Sequence, residues 1–130
     1  MTAASHPLSE RQEDYLEAIL HIEQRKNAAR ATDISRELGV SSSSVTGALH
    51  SLAGKGLVNY EPYDLITLTA SGRDAAQRVS RRHGVLRRFL EIDLGIEAGE
   101  AEATACRMEH VLSERVVQKL VEFIAKRARP

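Results

Sequence analysis

The chain contains 130 residues, of which 42% are hydrophobic and 28% are charged, a composition typical of a folded globular protein. This composition excludes a fibrous or disordered protein. Because Cys106 is the single cysteine, a protein stabilised by internal disulfides is also excluded. Eighteen Lys and Arg residues balance eighteen Asp and Glu residues, so the net charge indicates neither a nucleic acid nor a membrane as partner. The lone thiol and the lack of a long apolar run predict a cytoplasmic protein without a membrane segment. The small size favours an oligomer.

The first half of the chain is predicted to contain three helices followed by a hairpin. Apolar residues at helical spacing and candidate caps indicate helices over residues 9–26, 32–40 and 42–52. Two short runs of β-forming residues, 57–61 and 65–68, indicate a pair of strands joined by a tight turn. Helix, helix, helix and hairpin is the element order of a winged helix-turn-helix.

The second half of the chain is predicted to be entirely helical. Helices are indicated over residues 69–93, 98–112 and 113–124, with Gly95 ending the first of them. We therefore expect a mainly α fold with a winged helix-turn-helix domain over residues 1–75 and a helical domain over residues 76–130.

The serine-rich segment that opens the third helix has the composition of a recognition helix. Residues 41–50 contain no Asp or Glu and offer hydroxyl groups for contacts with phosphates. Candidate DNA-binding residues are Ser41, Ser42, Ser43, Ser44, Thr46, Gly47, His50 and, at the wing tip, Tyr63. The same pattern is also consistent with a small helical bundle or with a winged helix that binds protein.

Charge is distributed unevenly between the two halves. Residues 1–75 carry seven Lys and Arg against ten Asp and Glu, a net charge of −3, whereas residues 76–130 carry eleven against eight, a net charge of +3. A free-standing DNA-binding domain has the opposite charge. We therefore expect a partner that neutralises the acidic residues of the first half.

One helical turn near the end of the chain offers three kinds of metal-ligating side chain. Cys106, Glu109 and His110 have the spacing i, i+3 and i+4, which predicts a thiolate, a carboxylate and an imidazole on one face of a helix. Three such donors can chelate one cation. Each residue also has an ordinary alternative, because buried cysteines are commonly inert and glutamate–histidine pairs are commonly solvated.

Two other places offer further ligands. Asp14 and Glu17 are spaced i, i+3 on the first helix and supply two oxygen donors. His83 interrupts an apolar stripe, so its imidazole is expected to point inward, either as a ligand or as a core histidine with a satisfied hydrogen bond. No Gly-rich phosphate loop, H-E-x-x-H or G-x-S-x-G motif occurs in the sequence, so an enzyme is not expected.

The chain resembles the diphtheria toxin repressor family of metal-dependent transcriptional repressors, in particular its short branch with the manganese transport regulators. The resemblance covers nearly the whole chain. Its motifs lie at residues 13–17, 43–46, 82–83 and, most specifically, 106–113. It implies a homodimer with a helical dimerisation and metal-binding domain, which binds a palindromic operator in double-stranded DNA when loaded with iron(II) or manganese(II).

The resemblance also implies a set of metal ligands and places the recognition helix near Ser43. The implied ligands are Asp14, Glu17, His83, Cys106, Glu109 and His110. The two acidic residues of the first helix resemble the manganese branch and Cys106 resembles the iron branch, so both cations remain open, with iron(II) slightly favoured. At Arg87 and Glu102 the chain departs from the iron branch, which has an acidic residue and a histidine of an ancillary site there.

Two functions from other classes remain compatible with the sequence. A metal-independent winged-helix regulator, responding to a small molecule or a protein partner, would bind its operator in the presence of a chelator. A metal-buffering protein would bind metal without acquiring affinity for DNA.

Overall fold

The computed structural model describes residues 8–61 and 65–128, and the chain divides into two compact units, Met1–Gln77 and Arg78–Pro130. Six α-helices and three strands are present in the described residues: α1 Glu10–Lys26, β1 Ala29–Arg30, α2 Ala31–Leu38, α3 Ser42–Gly54, β2 Val58–Tyr60, β3 Leu65–Leu68, α4 Ala70–Arg88, α5 Ala98–Met108 and α6 Glu114–Ala128. None of the described helices is long and apolar enough to cross a membrane. The domain boundary near residue 75 stays a prediction.

Several helix ends of the first unit lie at residues that the sequence marks, whereas α2 begins at Ala31, before the predicted residue 32, and α3 extends to Gly54, beyond the predicted residue 52. Ser9 and Gln12 form a reciprocal capping box at the start of α1, because each side chain bonds the backbone N–H of the other. Helix α2 ends at Gly39, whose φ of 66° lies in the left-handed region. Ser41 caps α3 by accepting a hydrogen bond from the Ser44 N–H at 3.1 Å.

The small sheet of the first unit is antiparallel, with the strand order β1-β3-β2. Val58 pairs with Leu68 and Tyr60 with Ile66, as expected for the predicted hairpin. Strand β1 was not predicted, because a segment of two residues is too short to give an alternating pattern. The turn that contains Tyr63 lies outside the described residues.

The first unit has a large, tightly packed core. Fifteen described residues of α1, α2, α3, the sheet and the start of α4 form one buried hydrophobic cluster. The packing extends to the backbone at Gly72, where an added Cβ would lie 1.8 Å from the carbonyl oxygen of Leu57. The buried Glu23 carboxylate accepts hydrogen bonds from the Leu68 N–H at 3.0 Å and from Arg73 at 2.8 Å. Sheet and helices are thus held together by apolar and charged contacts.

Two helix ends in the second unit differ from the prediction. Helix α4 gives way to a π-helix at Phe89–Asp93, and Gly95 follows with a φ of 72°. Helix α5 was expected to continue to residue 112, but it ends at Met108 and is followed by a 3₁₀ turn at Glu109–Val111. The Glu109 carbonyl oxygen accepts a hydrogen bond from Arg82, a side chain on α4, at 2.9 Å.

The core of the second unit is small. Leu86, Leu90, Ala101 and Ala105 form its buried cluster. The buried row of α5 continues at Glu109, four residues beyond Ala105, whereas Met108 is exposed. Six large hydrophobic side chains of this unit are exposed instead: Ile92, Leu94, Met108, Val111, Val116 and Phe123.

Candidate functional site

A cluster of metal-ligating side chains surrounds His83 in the second unit. The His83 Nδ1 atom lies 2.5 Å from the Glu109 Oε1 atom, and its Nε2 atom lies 3.0 Å from the Glu102 carboxylate. The Cys106 sulfur lies 3.8 Å from His83 Nδ1 and 3.8 Å from Glu102 Oε2. An imidazole on α4 thus meets two carboxylates and a thiol carried by α5 and the 3₁₀ turn.

The imidazole and the two carboxylates of this cluster interact strongly. The Glu109 side chain is 1% exposed, and its hydrogen bond to the imidazole is the largest cause that raises the pKa of His83, to about 9. Burial of the ring opposes this rise, and Glu102 adds to it. In the protein without metal, His83 is therefore protonated at neutral pH and places one positive charge between the two carboxylates.

The donor set fits a divalent transition metal. Ligand atoms of His83, Glu102 and Cys106 all lie within 4.8 Å of one another. The Glu109 Oε2 atom is buried and has no hydrogen-bond partner among the described residues, although a buried carboxylate oxygen normally has one. The His110 imidazole, 5% exposed, lies 4.0 Å from that oxygen. A mixed sulfur, nitrogen and oxygen set suits iron(II) and later metals, and its carboxylates also suit manganese(II).

The structure brings together His83, Cys106, Glu109 and His110, the four predicted ligands of the second unit. The predicted placement of Cys106, Glu109 and His110 on one face of a single helix is wrong, because α5 ends at Met108 and a 3₁₀ turn carries the other two. The thiol of Cys106 is exposed, whereas the Glu109 carboxylate is buried. The prediction assumed one continuous helix, whereas the backbone tightens into a 3₁₀ turn where Arg82 binds the Glu109 carbonyl.

Glu102 belongs to the same cluster, although it was not predicted as a ligand. It precedes Cys106 by four residues on α5, so helical spacing places both side chains on one face. That spacing was the signal in the sequence. In the structure Glu102 also lies 3.7 Å from Arg87, the other position at which the chain departs from the iron branch.

The two remaining predicted ligands lie on α1 in the first unit. Both side chains are half-buried, and the Glu17 carboxylate lies 3.9 Å from the His21 ring. Asp14 lines a cavity of about 320 Å³ together with Arg11 and Tyr15. The role of Asp14 and Glu17 as ligands stays a prediction.

The predicted recognition helix is α3, and its polar side chains are exposed. The Ser41 hydroxyl contacts the hydroxyl of Ser43 at 3.2 Å and that of Ser44 at 3.0 Å, and Thr46 donates to the carbonyl oxygen of Ser42 at 3.0 Å. Gly47 and His50 are also exposed, and the His50 ring packs edge-on against Tyr60. Contact of these residues with DNA stays a prediction, and Tyr63 lies outside the described residues.

Two polar residues of α2 were not predicted to belong to this surface. Thr32 and Arg36 line a cavity of about 410 Å³ whose other wall includes Ser42 and Thr46 of α3. The Arg36 side chain is 79% exposed and supplies a positive charge beside the serine-rich segment. The sequence prediction considered only the third helix, whereas Arg36 lies on the preceding helix.

Comparison with known proteins decides the family. Residues 7–65 match the DNA-binding domain of the iron-dependent repressors, and residues 69–129 match their metal-binding and dimerisation domain. The chain belongs to the iron-dependent repressor family. This confirms the predicted family, the mainly α fold with its winged helix and dimerisation domain, and the function of a metal-dependent transcriptional repressor.

Several members of the repressor family are similar over most of this chain. An uncharacterized HTH-type transcriptional regulator of Methanocaldococcus jannaschii is 36% identical over 92% of this chain and 96% of its own length. The transcriptional regulator MntR of Escherichia coli O157:H7 is 34% identical over 88% of this chain and 73% of its own length. A manganese-dependent transcriptional repressor solved in complex with manganese superposes with a TM-score of 0.81 at 30% identity, over 88% of this chain. This repressor spans about half of that solved chain, 52%.

Proposed function

We propose that this repressor binds a palindromic operator as a homodimer when it is loaded with iron(II) or manganese(II), and so controls genes of metal uptake or homeostasis. The observation that carries the proposal is the cluster around His83, with a buried carboxylate oxygen on Glu109 that lacks a hydrogen-bond partner among the described residues. The protein acts in the cytoplasm, where DNA is found and the Cys106 thiol stays reduced.

The ligands of the second unit are His83, Cys106, Glu109 and His110. Asp14 and Glu17 are proposed as further ligands, because the resemblance gives them that role and α1 presents both as half-buried carboxylates. A bound divalent cation would supply positive charge among these carboxylates. The chain's own part is to hold the Glu109 carboxylate buried against His83 and to offer the exposed Cys106 sulfur.

Metal loading is proposed to raise the fraction of dimers that can bind DNA. A ligand present at 100 times its dissociation constant stabilises the state that binds it by about 2.7 kcal/mol. That free energy shifts the equilibrium between two conformations roughly 100-fold. Neutralising acidic side chains also reduces the repulsion between the first unit, with its net negative charge, and the phosphates of DNA.

The homodimer is proposed to form through the second unit. Its buried hydrophobic cluster contains four residues, and its exposed apolar side chains include Ile92 and Leu94, which are 62% and 56% exposed. Exposed apolar surface on this scale is typical of an association surface. Two-fold symmetry of the dimer would match the symmetry of a palindromic operator.

The proposal is tested by titrating the metal-free protein anaerobically with iron(II) and with manganese(II) in a calorimeter. We expect micromolar or tighter binding in the wild type and a clear loss of affinity in Cys106→Ala and Glu109→Ala. Arg107→Ala is the matched control, because Arg107 is exposed and neighbours Cys106 on the same helix. Unchanged binding in both ligand variants would show that these residues are not ligands.

The DNA-binding part is tested by selecting from a pool of random duplexes. With manganese(II) or iron(II) present we expect a palindromic sequence to be enriched, and with a chelator we expect none. Enrichment in the presence of the chelator would support the metal-independent regulator instead. Metal binding without any enrichment would support a metal-buffering protein.

The preference between the two cations is tested with Cys106→Glu. The substitution replaces a soft thiolate by a hard carboxylate, so we expect the ratio of manganese(II) to iron(II) affinity to increase. The ratio is compared with that of Arg107→Glu, which adds the same charge to the next residue. An identical ranking of metals in the wild type and in Cys106→Glu would contradict ligation by the thiolate.

A further inference from the structure

Arg82 connects three elements of the second unit. Its residue is 9% exposed, and its Nε atom donates to the carbonyl oxygen of Glu109 at 2.9 Å in a buried hydrogen bond. Its Nη1 atom donates to the Glu114 carboxylate at 3.3 Å. The guanidinium therefore joins α4 to the 3₁₀ turn after α5 and to the first turn of α6.

The Glu109 carbonyl group follows the end of α5 and therefore needs a hydrogen-bond donor from another element. Carbonyl groups at the end of an α-helix have no partner within the helix and require another donor when they are buried. Arg82 supplies that donor at the first residue of the 3₁₀ turn, the residue at which the helix was expected to continue. The bond thus fixes the backbone from which the Glu109 side chain extends.

The neighbouring Arg81 provides a contrast within the same helix. Its side chain is 49% exposed and approaches the same Glu114 carboxylate at 3.9 Å. The Arg82 side chain is 11% exposed and makes the shorter contact. The two residues have equal charge and adjacent positions, but the geometry ties only Arg82 to the backbone of Glu109 among the bonds described here.

We propose that Arg82 is a positioning residue for the metal site, which holds the Glu109 and His110 ligands in place against His83. This inference rests on the proposed function. Arg82 precedes His83 in the chain and bonds the backbone of Glu109, so one side chain links the α4 ligand to the ligands of the 3₁₀ turn. Its bond to Glu109 is made with the backbone carbonyl, so Arg82 acts on that ligand through the backbone.

Loss of this contact should lower metal affinity while the donors remain. Groups that orient metal ligands from outside the coordination sphere typically change metal affinity by about 10- to 100-fold when they are removed. A lysine keeps the positive charge but lacks the planar fork that serves a carbonyl and a carboxylate at fixed angles. We therefore expect Arg82→Lys to restore only part of what Arg82→Gln loses.

Cobalt(II) is the probe for the test, because its visible spectrum reports the number and type of its ligands. The full-length wild type, Arg82→Gln, Arg82→Lys and Arg81→Gln are titrated anaerobically. We expect the dissociation constant of Arg82→Gln to increase about 10- to 100-fold, with an altered spectrum at saturation, and Arg82→Lys to lie between it and the wild type. Arg81→Gln should keep the affinity and the spectrum of the wild type.

Circular dichroism of the metal-free proteins separates positioning from folding. Arg82 variants that are folded and bind cobalt(II) with the affinity and spectrum of the wild type would overturn the proposal. Arg82→Gln and Arg82→Lys that both fail to fold would also overturn it, because Arg82 would then serve the fold rather than the ligands. A wild type that does not bind cobalt(II) would instead refute the proposed metal site itself.

Discussion

The two units of this repressor are packed in opposite ways. Fifteen described residues form the buried cluster of the first unit, and Leu65 is its one exposed large hydrophobic residue among those described. The second unit has a cluster of four buried residues and exposes six large hydrophobic side chains. The comparison indicates that the first unit completes its own core, whereas the second unit needs further apolar contacts to become stable.

The contrast extends to the charged residues. In the first unit the buried Asp33 carboxylate is satisfied by Lys26 at 2.9 Å and by the backbone N–H of Arg30 at 3.0 Å. In the second unit one oxygen of the buried Glu109 carboxylate is hydrogen-bonded to His83. The other oxygen has no hydrogen-bond partner among the described residues. A fully satisfied buried carboxylate stabilises a fold, whereas a partly satisfied one is available to a ligand.

The largest expected effect compares two glycines of α4, one in each unit. Gly72→Ala should lower the free energy of unfolding by about 3 kcal/mol or more, because its Cβ would lie 1.8 Å from the Leu57 carbonyl oxygen. Gly84→Ala has open space around the added carbon and should increase the stability by about 0.5–1 kcal/mol. Thermal and denaturant unfolding of both variants measures the difference. Equal effects would contradict the contrast in packing.

The second prediction concerns the exposed apolar side chains. Leu94→Glu should raise the dissociation constant of the homodimer roughly 10- to 100-fold, because burying a leucine contributes about 1.5–3 kcal/mol. Leu65→Glu is the control, since Leu65 is 41% exposed in the first unit and is not proposed to contact a second copy. Sedimentation equilibrium measures both. A dimer weakened only by Leu65→Glu would place the association surface on the first unit.

The third prediction uses the pKa of His83, which Glu109 raises to about 9. The folded pKa lies above the ordinary histidine value of 6.5, so the pair stabilises the metal-free protein fully below pH 6.5 and loses that contribution as the pH rises through 9. A proton competes with a metal for the ring, so metal affinity should increase with pH over this range.

An NMR titration of the metal-free protein measures the His83 pKa directly. Glu109→Gln removes the carboxylate whose hydrogen bond to the imidazole is the largest cause of the shift, so the pKa of His83 should fall toward 6.5. Glu100→Gln, an exposed residue of the first turn of α5, serves as the control. A pKa that stays near 9 in Glu109→Gln would show that another group causes the shift.

The smallest expected effect concerns Asp33. Its hydrogen bond with Lys26 is the largest cause that lowers the pKa of the carboxyl below 3.8. The folded pKa is therefore below the unfolded value, and the contribution is present above pH 3.8 and is lost as the pH falls below it. Asp33→Asn should cost about 1 kcal/mol at pH 7 and less at acidic pH. A loss that does not depend on pH would mean that packing, not charge, dominates.

The first unit could be predicted from the sequence almost completely. Its caps, glycines and alternating strands are local features, and Ser9 and Gly39 act as the sequence indicates. The two-residue strand β1 was missed because its pairing with β3 depends on residues 35 or more positions away in the chain, 29 with 66 and 30 with 65. Such a contact leaves no local pattern.

The metal cluster could be predicted in its residue types but not in its geometry. The spacing of Cys106, Glu109 and His110 predicts one helix, whereas α5 ends at Met108 and the next carbonyl accepts a hydrogen bond from Arg82, a residue of another element. The presence of Glu102 in the cluster could have been predicted, because it lies four residues before Cys106 on the same helix. The burial of Glu109 could not be predicted, because a glutamate is rarely buried without a partner and its partner, His83, lies on another helix.

The exposed thiol of Cys106 has a consequence for the protein in air. A chain with a single cysteine has no partner for a disulfide within itself, and oxidation between two copies gives a covalent pair of chains joined at residue 106. Such a pair has the mass of a homodimer and does not dissociate on dilution, so size-exclusion chromatography does not distinguish it from the non-covalent homodimer. It also consumes a proposed ligand. Oxidation by air would therefore yield a disulfide-linked repressor that has the size of the homodimer but no longer responds to its metal.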